Sequence, residues 1–476
     1  MANLIDLLNS IIWSKALIIL CLGAGLYFSV ATRFLQVRHA RDMFKYLFGG
    51  GSSEKGVSSF QAFAMAVSGR VGTGNIAGVA TAIALGGPGA IFWMWVIAFL
   101  GAGSAYAEAA LAQLFKVEVD GQYRGGPAYY IEKGLGWKWY AVIFALCTIV
   151  GTGICLPGIQ SNSIGVALEQ AFQIDPAVSG AIVVTGLGLI IFGGVKRIGL
   201  AAQMLVPFMA GGYIILAIIV ILANSAKIPG VVELILVNAF AMKPAFGGML
   251  GMAISWGVKR GIYSNEAGQG TAPMAAAAAE VKHPATQGLV QAFSVYFDTW
   301  FVCTATAFMI LVTGSYNVKN PAGGFHHEGL PGVEEGPQFT QAAVNSMFPG
   351  FGDAFVAIAL FFFAFTTLMA YYYYTENNVA YLLKKDGRIR EVTFTVLKLI
   401  FLGVVFLGTA REASLAWAMG DLGVGLMAWV NIIAILILSP LAIRCLRDFE
   451  KKKARGEDPT FHSDDIKVKG ADFWEK

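Results

Sequence analysis

The sequence predicts an all-α polytopic membrane protein with about eleven transmembrane helices, at about 20 apolar residues per crossing. Three observations predict it. Of the 476 residues, 56% are hydrophobic and 13% charged, against about 25% charged in soluble globular domains, and the mean hydropathy is +0.63. Apolar runs of spanning length alternate with short charged connections, and Lys and Arg gather in every second connection. The 57 glycines fall largely among the apolar runs, where small residues let helix backbones approach. A soluble or disordered chain is excluded.

The predicted spans are 11–32, 59–84, 88–115, 138–172 with Pro157 inside, 176–194, 198–223, 245–279, 285–313, 353–382, 391–409 and 415–443. Met1 to Ser14 lacks the basic flank of a signal peptide, so span 1 reads as an uncleaved helix. Basic residues follow every odd span: Arg33, Arg38, Arg41 and Lys45 after span 1, Lys116, Arg124 and Lys133 after span 3, Lys196 and Arg197 after span 5. Lys282 follows span 7, Lys384, Lys385, Arg388 and Arg390 follow span 9, and Arg444, Arg447 and Lys451 to Lys453 follow span 11. The even connections hold only scattered cations such as Lys227, Lys243, Lys319 and Arg411, and 314–352 is acidic. Since cytoplasmic loops keep the positive charge, the N-terminus is predicted outside and the C-terminus in the cytoplasm.

Spans 2 and 7 are not built like lipid-facing helices. Span 2 contains Ser68-Gly-Arg-Val-Gly-Thr-Gly-Asn-Ile-Ala-Gly78, and span 7 contains Trp256-Gly-Val-Lys-Arg-Gly-Ile-Tyr-Ser-Asn-Glu-Ala-Gly-Gln-Gly-Thr-Ala-Pro273. Glycine costs about 1 kcal/mol per interior helix site relative to alanine, and an unpaired backbone group in hydrocarbon costs several more. Tight helix packing alone accounts for glycines. It does not account for Thr73, Asn75, Asn265 and Glu266 at membrane depth, where polar groups are expensive. Two glycine-interrupted helices in corresponding positions point to a transporter site.

Span 2 opens one group of five and span 7 opens the next. By the charge rule they run in opposite directions, so topology makes the groups inverted repeats. The organisation is then a peripheral first helix with its connecting segment (1–58), a first repeat (59–223), a second repeat (224–446) and a charged tail (447–476) expected to be frayed. Freed N–H groups at a half-helix start attract a carboxylate, and freed carbonyls attract a cation. Together they describe a zwitterion bound beside Na⁺.

Other classes fit less well. A channel needs a continuous polar pore, whereas the polar groups concentrate at two breaks. An enzyme needs a nucleophile with a base, and Ser68 and Ser264 have no neighbouring His, since His39, His283, His326, His327 and His462 fall in loops or near span ends. His326-His327-Glu328 in an acidic loop reads as solvated rather than as a metal site. No phosphate-binding Gly-x-x-x-x-Gly-Lys-Ser/Thr occurs, so ATP hydrolysis is excluded. The five cysteines show no CxxC spacing and read as buried packing residues.

The same stretches resemble the alanine/glycine:cation symporter family from Ser59 to Ala442. Beyond the first break the matching runs are Gly86-Gly-Pro-Gly-Ala-Ile-Phe-Trp-Met-Trp95, Tyr123-Arg-Gly-Gly-Pro-Ala-Tyr-Tyr-Ile131, Gln160-Ser-Asn-Ser163 and Lys259-Arg-Gly-Ile-Tyr-Ser-Asn-Glu-Ala-Gly268, in family order. The resemblance implies a LeuT-like five-plus-five inverted repeat preceded by one extra N-terminal helix. It implies a prokaryotic inner-membrane symporter, not an enzyme, that imports small neutral amino acids with Na⁺ or H⁺ and uses no organic cofactor and no nucleic acid. Carried over by motif, Thr73, Gly74 and Asn75 of span 2, Gln160 of span 4, and Tyr263 and Asn265 of span 7 hold the substrate. Tyr263 stands where the family commonly has Phe. A Na⁺ site is implied between Gly69 and Val71 of the first break and Thr366 and Thr367 of span 9. Ala370-Tyr371 and Thr375-Glu376 depart from the family's pattern, so span 9 is expected to pack differently.

Ionisable residues inside the predicted spans are functional candidates by default. Arg70, Glu108, Lys259 and Asp298 are the gating or coupling candidates, with Arg260 and Glu376 also in the set. Glu108 either neutralises Arg70 or Lys259 or couples an ion directly. Asp298 faces an ammonium group or a helix end. Arg124 either answers lipid head groups or locks a closed gate.

Overall fold

A backbone in hydrocarbon must satisfy its own hydrogen bonds, which a helix does within one segment. The structure, a computed structural model, describes residues 2–475 except Gly50, Ser52, Glu54, Asp120, 241–248 and 384–386. Among the described residues, eight helices are long and apolar enough to cross a membrane: Leu4–Ala31, Ala90–Leu114, Lys138–Phe172, Gly194–Ala223, Pro284–Thr313, Gly352–Leu382, Arg388–Gly408 and Ala413–Ile437. Pro176–Ile191 is apolar but has only 16 residues. At 1.5 Å per residue it covers about 24 Å of a core about 30 Å thick. The spans predicted at 59–84 and 245–279 are both interrupted helices. The predicted start of the second at 245–248, with Lys243, Lys384 and Lys385, lies outside the described residues.

Ala90–Leu114 is the hub, packed against Lys15–Ala31, Leu250–Asn265 and Pro284–Tyr296. Glycine sets these approaches. A Cβ on Gly288 would stand 2.6 Å from the Tyr106 ring, and one on Gly257 would stand 2.5 Å from the Ala90 carbonyl oxygen. Neither distance is one a side chain can occupy.

Several short elements escape a hydropathy reading. Ala40–Leu47, Ile228–Ala239 and Pro337–Asn345 are helices in predicted connections, and Val117–Val119 with Gln122–Arg124 and Asn317–Lys319 with Phe325–Glu328 form two small hairpins. They are too short for spanning-length windows to find.

The tail is not frayed. Ser439–Ala454 is helical, and 455–475 folds back across the end of Ala90–Leu114. Trp474 Nε1 donates to the Gln113 carbonyl at 2.8 Å. The Lys116 ammonium lies 4.5, 4.2 and 5.1 Å from the Tyr123, Phe473 and Trp474 ring centroids. Phe461, Ile466, Val468 and Trp474 are buried within the charged stretch, which is why net charge alone misjudges it. Glu450 on the Ser439–Ala454 helix binds Arg33 at 3.0 Å, Arg38 at 2.6 Å and His39 at 2.9 Å, tying that helix to the connection after the first crossing.

Candidate functional site

Local sequence makes each break. Ser58 and Gln61 form a reciprocal cap, with Gln61 N donating to Ser58 Oγ at 3.1 Å and Ser58 N to Gln61 Oε1 at 3.0 Å. The helix Ser59–Arg70 ends at Val71, whose ψ of 89° leaves the helical region, and the chain restarts as a wide turn at Gly74–Gly78 leading into Val79–Gly86. In the second break Leu250–Asn265 ends as Glu266 enters the left-handed region at φ +54°. Gly268 and Gly270, at +83° and +87°, carry the chain to Ala272–Ala277 through a conformation that glycine adopts without strain.

The two breaks touch at Gly74. A Cβ there would stand 3.0 Å from the Tyr263 ring and 3.3 Å from Ser264 Cα. Gln160, on Leu156–Phe172, bridges them. Its Oε1 accepts from Thr73 N at 3.1 Å and Thr73 Oγ1 at 2.7 Å, and its Nε2 donates to the Tyr263 hydroxyl at 3.4 Å. Asn75 Oδ1 accepts from Gly72 N at 2.8 Å while its Nδ2 donates to Asp298 Oδ1 at 2.6 Å. Asp298 also accepts from Ser264 Oγ at 3.0 Å and Thr299 Oγ1 at 2.7 Å. Asn265 accepts from Ala267 N at 3.0 Å and donates to Thr299 Oγ1 at 3.3 Å. All six substrate candidates, Thr73, Gly74, Asn75, Gln160, Tyr263 and Asn265, therefore lie in one buried cluster.

The cation candidates divide. Thr367 Oγ1 donates to the Ser68 carbonyl at 2.9 Å and lies 3.5 Å from the Val71 carbonyl, so it meets the first break. Thr366, one residue earlier, bonds Phe363 O at 3.0 Å and Met209 Sδ at 3.5 Å and does not. Gly69 stands beside Tyr374 and Glu266.

The charged candidates take three places. Glu108 pairs with neither Arg70 nor Lys259. It accepts from Gly268 N at 3.0 Å and from Asn431 Nδ2, and Asn431 also donates to Gly268 O at 2.9 Å, so the second break is pinned by a carboxylate. Arg70 turns to Ser294 Oγ and to Gln291 O at 3.2 Å. Lys259 and Arg260 both pair with Asp421, at 2.6 and 2.9 Å. Beyond that triad lies a cavity of about 470 Å³, lined by Asp6, Trp256, Lys259, Arg260, Trp417 and Asp421 among others. Toward the opposite end of the helices, Arg124 pairs with Glu376 at 2.9 Å and Asn377 Nδ2 donates to Gly125 O at 2.8 Å. Arg124 thus answers a carboxylate of helix Gly352–Leu382.

On that helix, Tyr371, Tyr372, Tyr373 and Tyr374 are consecutive and all buried. Tyr373 donates to Met274 O at 3.1 Å, the Tyr372 ring lies 5.6 Å from that of Phe401, and the Tyr374 hydroxyl lies 2.7 Å from where a Cβ on Gly69 would stand.

Sequence reasoning missed Asp421, Trp417, Thr299, Cys303 and Asn431. Asp421 carried a signal, being an acid inside a predicted span. The others are ordinary residues for a helix, and only tertiary structure brings them to the breaks.

Three comparisons bear on this arrangement. A profile described as the sodium:alanine symporter family matches residues 1–463. A putative sodium/proton-dependent alanine carrier, YrbD of Bacillus subtilis (strain 168), is 60% identical over 476 residues, covering 100% of this chain and 98% of that one. The sodium/proton-dependent alanine carrier protein of Bacillus sp. (strain PS3) is 51% identical over 427 residues, 90% of this chain and 95% of that one. A solved substrate-bound, outward-open Na⁺-coupled sialic acid symporter matches with a TM-score of 0.51 at 13% identity, covering 98% of this chain and 95% of that one. At that identity the likeness concerns the fold, which is the helical transporter fold expected from the sequence.

Proposed function

The chain belongs to the sodium:alanine symporter family, and on that footing we propose that it imports small neutral amino acids, alanine or glycine, together with Na⁺ by alternating access. The observation that carries the reading is the meeting of two broken helices at Gly74, bridged by Gln160 and closed toward both ends by ion pairs. Eleven crossings follow when the two broken helices and Pro176–Ile191 are counted with the eight long ones. The five-plus-five repeat, the outside N-terminus and the cytoplasmic C-terminus follow from the charge pattern.

Substrate and ion use different faces of the first break. Thr73 and Gly74, with Tyr263 and Gln160, enclose the amino acid. Glycine at 74 and the tyrosine ring against it leave room only for a short side chain, which favours alanine and glycine over larger substrates. Asn75 and Asn265 hold the breaks in shape around it. Na⁺ is bound as cargo by the Val71 carbonyl and the Thr367 hydroxyl, with Gly69 and Thr366 flanking, since oxygen donors without added charge suit a monovalent cation. Arg260 with Asp421 closes the outer path, and Arg124 with Glu376 closes the inner one. The resulting state is occluded, and transport alternates which pair opens.

Purified protein in liposomes tests this directly. An inward Na⁺ gradient is expected to accumulate labelled alanine above equilibrium, and a sodium ionophore to abolish it. Equilibration without accumulation under any cation gradient overturns the reading. Accumulation driven equally by a pH gradient in Na⁺-free buffer replaces Na⁺ with H⁺.

A further inference from the structure

The helix Ser439–Ala454 buries Ala442, Cys445, Leu446 and Phe449 and leaves Arg444, Arg447 and Lys451 exposed. At about 100° per residue those three cations fall within about 60° of arc, so they form one stripe along the outer side of the helix. The helix starts directly after the last crossing, Ala413–Ile437. The first crossing ends beside it: the Tyr27 and Ser439 hydroxyls lie 2.8 Å apart, and past Ala31 the chain turns through Arg33 and Phe34, both at φ +55°. Arg33 is thereby carried to the stripe. An open cavity of about 450 Å³ lies between them, lined by Arg33, Arg447, Glu450, Lys451 and Ala454.

Charge does not balance in this cavity. Its one carboxylate, Glu450, is already shared by Arg33 at 3.0 Å, Arg38 at 2.6 Å and His39 at 2.9 Å. Among the described residues the Arg447 and Lys451 side chains have neither an ion pair nor a hydrogen bond. An anion completes the set, since a guanidinium presents paired N–H donors that match phosphate oxygens and an ammonium adds a point charge. The surroundings decide which kind of anion. Tyr27 and Val30 at the end of the first crossing, and Phe34 just beyond it, are exposed, as are Ile433 and Ile437 on the last crossing. Cations at the ends of two lipid-facing crossings stand at headgroup depth, next to apolar surface that suits acyl chains. A soluble phosphate would use the cations and leave that surface idle.

We propose that this cavity is a binding site for an anionic phospholipid, its phosphate held by Arg33, Arg447 and Lys451 and its acyl chains lying along the first and last crossings. Bound there, the lipid clamps the peripheral first helix to the last one at this end of the molecule. The inference goes beyond the symport reading and does not depend on it. It requires only that both helices cross a membrane.

Native mass spectrometry of the purified full-length protein in detergent, with added phosphatidylglycerol or phosphatidylcholine of the same acyl chains, tests it. Wild type is expected to retain phosphatidylglycerol about tenfold more than phosphatidylcholine, and Arg447→Gln/Lys451→Gln to lose that preference, the scale being that of two cation–headgroup contacts. Lys196→Gln/Arg388→Gln, which removes two exposed cations from other odd connections, is expected to keep it. Equal retention of the two lipids by wild type overturns the proposal, as does an undiminished preference in Arg447→Gln/Lys451→Gln. An equal loss in Lys196→Gln/Arg388→Gln also overturns it, by showing bulk charge rather than a site. Displacement of the lipid by glycerol 3-phosphate overturns it in favour of a soluble anion. If Arg447→Gln/Lys451→Gln fails to fold, wild type is crosslinked with a photoactivatable phosphatidylglycerol: adducts within 27–37 or 439–454 support the site, and adducts confined to other segments overturn it. None of these outcomes involves alanine, so failure here leaves the symport reading standing.

Discussion

Arg260 and Asp421 meet in a two-pronged pair, Nη1 to Oδ1 at 3.0 Å and Nη2 to Oδ2 at 2.9 Å, across two helices and 161 positions of sequence. The guanidinium also lies 4.5 Å from the Trp417 ring centroid, and Trp417 lies 5.2 Å from Tyr263. One side chain thus carries the ion pair and the aromatic roof together. Removing one partner of a buried pair costs about 3–5 kcal/mol because the other charge is stranded. Asp421→Asn is therefore expected to bias the protein toward an outward-open form. In a background where Cys21, Cys147, Cys155 and Cys445 are serine, an impermeant maleimide added outside should modify buried Cys303, 3.3 Å from Asn75 Nδ2, many times faster in Asp421→Asn. Equal rates remove this pair from the outer closure.

Gln160→Ala leaves both Thr73 donors without an acceptor. Each orphaned donor costs about 1–3 kcal/mol, so alanine affinity should fall by about tenfold or more, since about 1.4 kcal/mol is a factor of ten. Asn75→Ala should act in the same direction by freeing Gly72 N and Asp298. Competition binding at matched expression checks both, and unchanged affinity in the two variants excludes them from the pocket.

Glu108 has a different signature. Because it holds Gly268 and Asn431 and touches no candidate substrate group, Glu108→Ala should lower thermal stability in detergent by about 1–3 kcal/mol. Its effect on alanine affinity among surviving molecules should be smaller than that of Gln160→Ala. A stable Glu108→Ala that has lost sodium dependence contradicts the structural role and revives direct ion coupling.

The cluster around Glu450 predicts a pH dependence of stability. Partial burial alone raises its carboxyl, but hydrogen bonds from His39 and Arg38 outweigh burial and hold it below the usual range. A carboxyl lowered in the folded state contributes stability above its unfolded value, about 4.3 for Glu, and loses that contribution as pH falls through the lowered folded value. Wild type should therefore melt above Glu450→Gln at pH 7, and the gap should shrink on acidification below pH 4. A gap that is constant over that range contradicts the assignment.

The breaks were legible because glycine and asparagine at membrane depth have few uses other than interrupting a helix. Their partners were less so. Thr366 and Thr367 look equivalent in sequence, but neighbours on a helix point about 100° apart, and only the packing of Gly352–Leu382 decides that Thr367 meets Ser68 and Val71. Glu108 was legible as functional by depth, yet its partners are a backbone N–H and an amide rather than the cations nearest to hand in a charge count. The tail was misjudged because its charges outnumber a few aromatic and aliphatic side chains that do the docking.

The four tyrosines from 371 to 374 have a mechanical consequence. At about 100° per residue they project around most of the circumference of their rod, and every ring is sunk in a neighbour. They act as splines on a shaft. Spinning that rod about its long axis would shear several rings out of their sockets at once, whereas tilting it with its surroundings disturbs none. Whichever side of the membrane opens, this helix is expected to travel as a passenger of its neighbours and to keep its azimuth throughout the cycle.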